Sequence, residues 1–472
     1  MKTTFWRLLC MALLLGSSPL HAQSDSTPQL YRLTAREALD LAMKRRTEIL
    51  NAQIDVQSQD ALNREITGAA LPQVKGNFGL QRNFAIPVTV LPDFISPSVY
   101  GVLEREDVRD GNGNPIKFDG VINTFPAAFG VPWQAQVGVG VQQLLFQPDV
   151  FIGLKARSSA IELYKNQLLV AEDSVKSNVL QTYYGVLVTE QGLRFARESR
   201  DRLAKLYADQ QQLFNTGFIE KLDVEKTKVN LNNVNSTVTN LKNLVALSYG
   251  GLKFALGISQ KDSLVLTDSL SLTELNRDVL EMENGFKYEN RNEIKAINSS
   301  QELLGLQVRR YRMNAYPTVA AFWNLATNAQ RLKFDFFDTK QRWFFSNIAG
   351  VNISVPLTDG LQRRYKLKQA ELAYQKSNNS LDRFKQAIDL QVVAARTTFT
   401  NALLALNQQV ENKELAEKVY ATTKIKYDRG LGSSFELIQT ETSLQDALNN
   451  YYQALYNAVV ARIGYQRALG KL

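Results

Sequence analysis

Two carboxylates, Asp223 and Glu436, are the candidate chemistry of this 472-residue sequence. Each follows a glycine by six residues (Gly217 and Gly430) and falls just inside a segment that reads as the start of a helix. The positive end of a helix dipole favours an acid there, so capping accounts for both residues as well as any other role. Catalysis has far less to draw on. The chain has one cysteine, Cys10, and one histidine, His21, and both sit in an N-terminal stretch that reads as a signal peptide. Once that stretch is removed, thiol nucleophiles, disulfides, zinc sites of the usual ligands and Ser-His-Asp triads are excluded. A Ser-Lys or two-carboxylate mechanism survives on composition alone, and no residues converge on one. The sequence is therefore read as a non-enzyme with no cofactor and no metal.

The elements that must position the two acids are written twice. Thr47-Glu48-Ile49 followed by Leu71-Pro72 recurs as Asn292-Glu293-Ile294 followed by Tyr316-Pro317, a shift of 245. Leu154-Lys155, Tyr207, Gly217, Thr227, Leu231 and Ala255-Leu256-Gly257 recur as Leu367-Lys368, Tyr420, Gly430, Thr440, Leu444 and Ala468-Leu469-Gly470, a shift of 213. Two constant shifts mean two copies of one unit, with about 32 extra residues in the first copy between Pro72 and Leu154.

Lys2 and Arg7, the apolar run 8–15 and the small residue Ala22 make residues 1–22 a signal peptide. The mature protein then begins near Gln23 and is exported. Loss of Lys2 and Arg7 lowers the formal charge from +9 to +7. Export argues against a nucleic-acid partner for that basicity, which is read as Lys and Arg on solvated helices. Lipidation at Cys10 is disfavoured because Leu9 precedes it where a small residue is wanted. No apolar run after the signal approaches the length of a transmembrane helix.

Each copy reads as a shorter helix, a strand, a loop, a strand, a long helix, a turn and a return helix. The first helix is placed at 34–68, with Thr34 and Glu37 as a capping box, and its counterpart at 289–314. Strands follow. Val74, Gly76, Phe78 and Leu80 alternate with Lys75, Asn77, Gly79 and Gln81, and Trp133, Ala135, Val137, Val139 and Val141 alternate with glutamine and glycine. Ala349, Val351, Ile353 and Val355 repeat the pattern, and 318–328 does so less regularly. Alternation over about ten residues, with Gly, Asn and Gln on one side, is the signature of an outer-membrane strand, although a half-buried strand of a soluble sandwich alternates too. Four strands cannot close a barrel, so they must be shared between chains, and a homotrimer gives twelve. The loop 85–132 holds six of the twelve prolines, while the second loop, 329–343, is short. Phe334, Phe336, Phe337, Trp343, Phe344 and Phe345 near it read as an interfacial aromatic girdle or a hydrophobic loop anchor.

Long helices are expected at 151–215 and 360–429, each close to 95 Å or more at ~1.5 Å per residue. The return helices carry heptad seams, Leu231, Val234, Val238, Leu241 and Val245 in one, and Leu444, Leu448, Tyr451, Leu455 and Ala458 in the other. A return helix and a first helix end to end nearly match a long helix, which predicts long helices paired with two stacked shorter ones. Residues 258–287, with Leu264, Leu266 and Leu270, form the connector at the waist. The domains are thus 1–22 signal peptide, 23–257 first repeat, 258–287 connector and 288–472 second repeat.

This arrangement resembles the TolC-like outer-membrane efflux protein family over essentially the whole mature chain. The most specific elements are FNTGFIEKLDV at 214–224 and YDRGLGSSFEL at 427–437, which look like the family's aromatic-x-x-Gly turn followed six residues on by an acid. Val355-Pro356-Leu357 before Asp359-Gly360 looks like its passage from strand into long helix. The resemblance implies a mixed α and β fold: a homotrimer with a twelve-stranded barrel in the outer membrane of a Gram-negative bacterium and a coiled-coil helical tunnel in the periplasm. It implies as partners a periplasmic adaptor and an inner-membrane pump or type I exporter, which supplies the energy because no P-loop is present. By threefold symmetry Glu436, and less so Asp223, would form an acidic ring at the periplasmic constriction. The family's second acid is absent: Gln439 stands in its place in one copy and Lys226 in the other, which predicts a weaker constriction. Tyr427 and Arg429 are candidates for holding the closed tip, with a solvated helix end as the plainer reading. Gly217, Phe218, Ile219, Gly430 and Leu431 are the candidate adaptor contacts. A structural reading from another class, an exported coiled-coil tether or adhesin without a pore, uses the same helices and leaves the paired alternating strands without a purpose.

Overall fold

The computed structural model describes residues 28–269 and 286–472. The signal peptide at 1–22, with Cys10 and His21, and Leu270 of the connector lie outside the described residues. In chain order the first elements are β1 (Leu30–Leu33), α1 (Ala35–Arg45), α2 (Thr47–Ala69), β2 (Gln73–Arg82), β3 (Val88–Pro92), α3 (Ile95–Arg105), β4 (Thr124–Ala128) and β5 (Trp133–Phe146). The long α4 (Pro148–Asn215), the return helix α5 (Lys221–Leu256) and β6 (Ser263–Leu266) follow. After a 3-10 turn at Tyr288–Asn290 come α6 (Asn292–Met313), β7 (Thr318–Arg331), β8 (Phe344–Ser354), α7 (Gln362–Asp428) and α8 (Ser434–Ala468). The chain forms two compact units, one from residues up to Ser58, Ile161–Ser300 and Ser377–Leu472, the other from Gln59–Ala160 and Gln301–Lys376.

The second unit is built on one antiparallel sheet in the order β2-β5-β7-β8. Its register carries the alternation coherently across all four strands. Val74, Phe78 and Leu80 align through Val141, Val137 and Ala135 with Trp323, Thr327 and Ala329, and onward with Ala349 and Phe345. Most of this apolar face is exposed on the chain. The opposite face presents Gln73, Lys75, Asn77, Gln81, Gln134, Gln136, Gln142, Asn324, Asn328, Gln330 and Asn352, a wall of amides that Phe322, Phe344 and Ile348 interrupt. Glycines let that wall pack: a Cβ on Gly140 would meet Asn324 Oδ1 at 2.8 Å, and one on Gly350 would meet the Phe322 ring at 2.7 Å. Among the described residues β2 and β8 each pair on one side only.

The strands run longer than the alternation marks, β5 to Phe146 and β7 to Arg331, because ladder hydrogen bonds continue past the last alternating residue. The loop between β7 and β8 folds against the apolar face, where Phe336 and Trp343 bury Ala135 and Ala329. Phe334 meets Trp133, Phe336 and Phe337 edge to face, and Phe336 tilts against Trp343, whereas Phe344 and Phe345 sit on β8 and point to opposite faces. The insertion at 85–132 is not simply a loop. It contains the antiparallel pair β3–β4, with the helix α3 in the segment between the two strands.

In the first unit the helix expected at 34–68 is broken at Arg46, whose backbone is extended (φ −67°, ψ 126°). Thr34 and Glu37 form the capping box at the head of α1. The break has a tertiary cause. The Arg46 guanidinium donates to the Phe254 carbonyl at the end of α5 and pairs with Glu48. Gly257 ends α5 in the left-handed region (φ 71°), where a Cβ would lie 2.8 Å from the Arg45 carbonyl. The same joint recurs one repeat later. Arg291 donates to the Ala468 carbonyl at 2.8 Å and pairs with Glu293, and Gly470 (φ 69°) presses on the Asn290 carbonyl. Each return helix therefore ends where a shorter helix begins. The second short helix starts at Asn292 rather than 289, since the 3-10 turn occupies the residues before it.

Beside the first joint β1 and β6 pair in parallel. Leu33, Ala38, Ala42, Ile49, Val179, Tyr183, Leu252, Leu256 and Leu264 form its core. Tyr183 donates to the Leu33 carbonyl and to Asp268, which also accepts from the Ala35 amide at the start of α1.

Candidate functional site at the helix tips

Both long helices end in the same hydrogen-bonded stop. The Phe218 amide donates to the Leu213 carbonyl and the Gly217 amide to that of Phe214; Leu431 and Gly430 donate likewise to Lys426 and Tyr427. This pairing is a Schellman stop, which needs a left-handed residue after the helix. Gly217 and Gly430 supply it at φ 80° and 73°. The residue after each glycine is thrown outward. Phe218 and Leu431 are both 79% exposed, while Ile219 is half-buried.

The return helices start three to four residues on. Ser433 caps α8 through the Glu436 amide, and Glu436 and Gln439 stay exposed. Glu220 precedes α5 without a side-chain cap, and Asp223 lies 3.9 Å from Lys226 in an i,i+3 pair. Arg429 is exposed, and no ion pair holds it among the described residues. Tyr427 is half-buried in a cluster that draws Leu203 and Leu206 from α4, Leu231 and Val234 from α5, and Leu437 and Ile438 from α8. Burial raises its phenol above the ordinary value, with the Gln210 amide opposing. The structure thus brings Tyr427 into the packed tip and leaves Glu436, Gln439, Asp223 and Arg429 around it.

One layer in from the tip lies a polar group that the sequence reading passed over. Glu441 is only 3% exposed, and Arg202 grips it in a fork with contacts of 2.6, 2.8 and 3.0 Å. The Arg202 guanidinium also lies 5.6 Å from the centre of the Tyr420 ring. Burial, and next the neighbouring Glu441 charge, push the Tyr420 phenol up to about 12. These residues line a cleft of ≈ 190 Å³ with Leu203, Leu206, Asp209, Lys424 and Tyr427. A buried carboxylate without a cation costs several kcal/mol, so the pair fixes how α4 and α8 meet. The signal was present in the sequence, because Glu441 falls three residues before Leu444 on the apolar seam, where an acid needs a partner. Its partner is 239 residues away, beyond any spacing rule. Among the described residues that line this cleft there is no serine, cysteine or histidine.

Residues 288–471 match the family model described as Outer membrane efflux protein. A curated relative, Outer membrane protein TolC of Vibrio cholerae, is 20% identical over 343 residues, covering 71% of this chain and 76% of its own. The fold is shared with the Campylobacter jejuni CmeC outer membrane channel at a TM-score of 0.70 and 13% identity, over 97% of this chain and 91% of that one. It is shared also with the outer membrane protein VceC of Vibrio cholerae, at 0.67 and 13% identity over 92% and 96% of the two chains. Residues 288–471 thus carry the outer membrane efflux protein match, and the chain as a whole shares the fold of the CmeC and VceC outer membrane channels.

Proposed function

We propose that the chain is the outer-membrane channel subunit of a trans-envelope efflux or type I secretion system, a passive gated trimeric conduit. The family is one of efflux conduits rather than enzymes. The observation that carries the proposal is the four-stranded sheet with one apolar face, one amide face and two unpaired edges. An open edge in water invites aggregation, and an open edge in lipid leaves backbone groups unsatisfied. Joining β2 of one protomer to β8 of the next removes both problems, and three protomers give twelve strands. The two repeats, 23–257 and 288–472 about the connector 258–287, then supply six similar parts to one helical tunnel. A tether or adhesin accounts for the helices and leaves the exposed apolar face and the two unpaired edges without a role.

On this reading the tips are the gate. Glu436 and Asp223 form the acidic constriction, softened by Gln439 and Lys226, and Arg429 finds its partner across a protomer boundary. Phe218 and Leu431, with Ile219 beside Gly217 and Gly430, receive the periplasmic adaptor that links the conduit to its inner-membrane pump. The decisive experiment is detergent extraction of the outer membrane followed by conductance in planar bilayers. Cysteine pairs across β2 and β8 should yield a disulfide-linked trimer. A protein that is water-soluble without detergent, monomeric and non-conducting would end the channel reading in favour of the tether.

A further inference from the structure

The amide face of the sheet holds no carboxylate and a single charged side chain on its four strands, Lys75. Lys75 lies two residues into β2, at the end of the sheet where α2 delivers the chain. Directly across from it is Gly140, then Asn324 and Ile348, and its neighbours along β2 on the same face are Gln73 and Asn77. The space over Gly140 is occupied by the amides of Asn324 and Asn77, which offer the ammonium dipoles and no counter-charge. Lys75 is exposed and no carboxylate pairs with it among the described residues. Three ion pairs form near the passages between strands and helices, by contrast: Asp149 with Arg310, Asp359 with Arg363, and Arg312 with Glu371.

We propose that Lys75 is the charge-selecting residue of the barrel lumen, and that the barrel favours anionic and uncharged solutes over cations. This rests on the channel reading, because only closure of three sheets around a common axis turns one lysine per chain into a ring. Rings of charged side chains in a narrow water-filled pore set the sign of the permeant ion. A wall of neutral amides adds no field of its own, so three ammonium groups dominate the potential there. Their reach is about one Debye length, ~10 Å at 0.1 M salt, which limits the preference to roughly twofold and makes it grow as salt is lowered.

The test is the reversal potential of the full mature protein in a planar bilayer under a potassium chloride gradient. The unmodified channel is compared with Lys75→Gln, which continues the amide wall at an exposed position, and with Lys75→Glu. The permeability ratio of chloride to potassium should fall by roughly twofold in Lys75→Gln and fall further in Lys75→Glu, with the differences widening at low salt. Channels that conduct but whose ratio is unmoved by either substitution would overturn the role of Lys75, as would a shift towards chloride. Absence of conductance in all three proteins, assembled or not, would instead sink the channel reading on which the proposal rests.

Discussion

The two return helices occupy matching places in the sequence and differ in what covers them. In α8 the seam residues Leu444, Leu448, Tyr451, Leu455 and Ala458 are all buried, and Tyr451, Leu455 and Ala458 pack with Leu406 of α7 and Leu180 and Tyr184 of α4. In α5 the seam residues Leu231, Val234, Val238, Leu241 and Val245 are only half-covered, and burial is confined to Val224 and Thr227 near the tip and to the last turns. The tips differ in charge as well. Glu441 beside Tyr420 corresponds to Lys228 beside Tyr207, a cation 5.6 Å from the ring centre and exposed. One pattern thus yields a helix enclosed by its own chain and a helix with a half-open seam. A heptad states that a helix wants a partner; which chain provides it is a separate matter.

The largest effect should come from unpairing Glu441. Arg202→Met should destabilise the tip by about 3–5 kcal/mol, read as local loss of hydrogen-exchange protection in α8, and adding Glu441→Leu should restore most of it. Lys228→Met should do almost nothing, and a comparable loss there would erase the contrast between the tips. Next, Leu455→Ala should cost ~2–5 kcal/mol in unfolding by denaturant, because its side chain is fully enclosed. Val238→Ala should cost less than about 1 kcal/mol in a dissociated chain. A much larger cost confined to the assembled protein would sharpen the comparison, placing a neighbouring protomer on the α5 seam.

Alkaline titration gives a smaller effect. Burial pushes the Tyr420 phenol up to about 12, above the ordinary tyrosine value. Its stabilisation is therefore complete below pH 10 and lost as pH rises through about 12. Tyr420→Phe should abolish that dependence in an ultraviolet-monitored titration of tip unfolding. Smallest on stability are Phe218→Ser and Leu431→Ser, each within about 0.5 kcal/mol of the parent because the side chains are exposed. Both should weaken crosslinking to a periplasmic adaptor and lower transport in cells; unchanged transport in the double variant would remove these residues from docking.

Much of the fold was legible because it repeats with a local period. The glycine stops, the capping box at Thr34, the long helices and the sheet strands all follow from residues within one or two turns of each other. What escaped was set by distant partners. The break at Arg46 has no proline or glycine to mark it, since the carbonyl that holds the arginine belongs to Phe254. The parallel pair β1–β6 joins two four-residue strands 233 positions apart, too short to register as alternation. Within the insertion, proline-rich composition hid an antiparallel strand pair and a helix. At the tips, the turn and its exposed apolar residues could be read directly, whereas the Arg202–Glu441 pair required knowing which helices meet.

The two arginine joints also impose an order on how the protein comes together. Arg46 emerges early and has nothing to grip until Phe254 and Gly257 have followed, and Arg291 waits in the same way for Ala468 and Gly470. Loop closure over such separations is slow compared with helix growth, so each half ripens only after its return helix has formed. The first half can lock while the second is still emerging. A chain stopped short of Gly470 would keep its first joint and lose its second, leaving an arginine committed to a socket that never arrives.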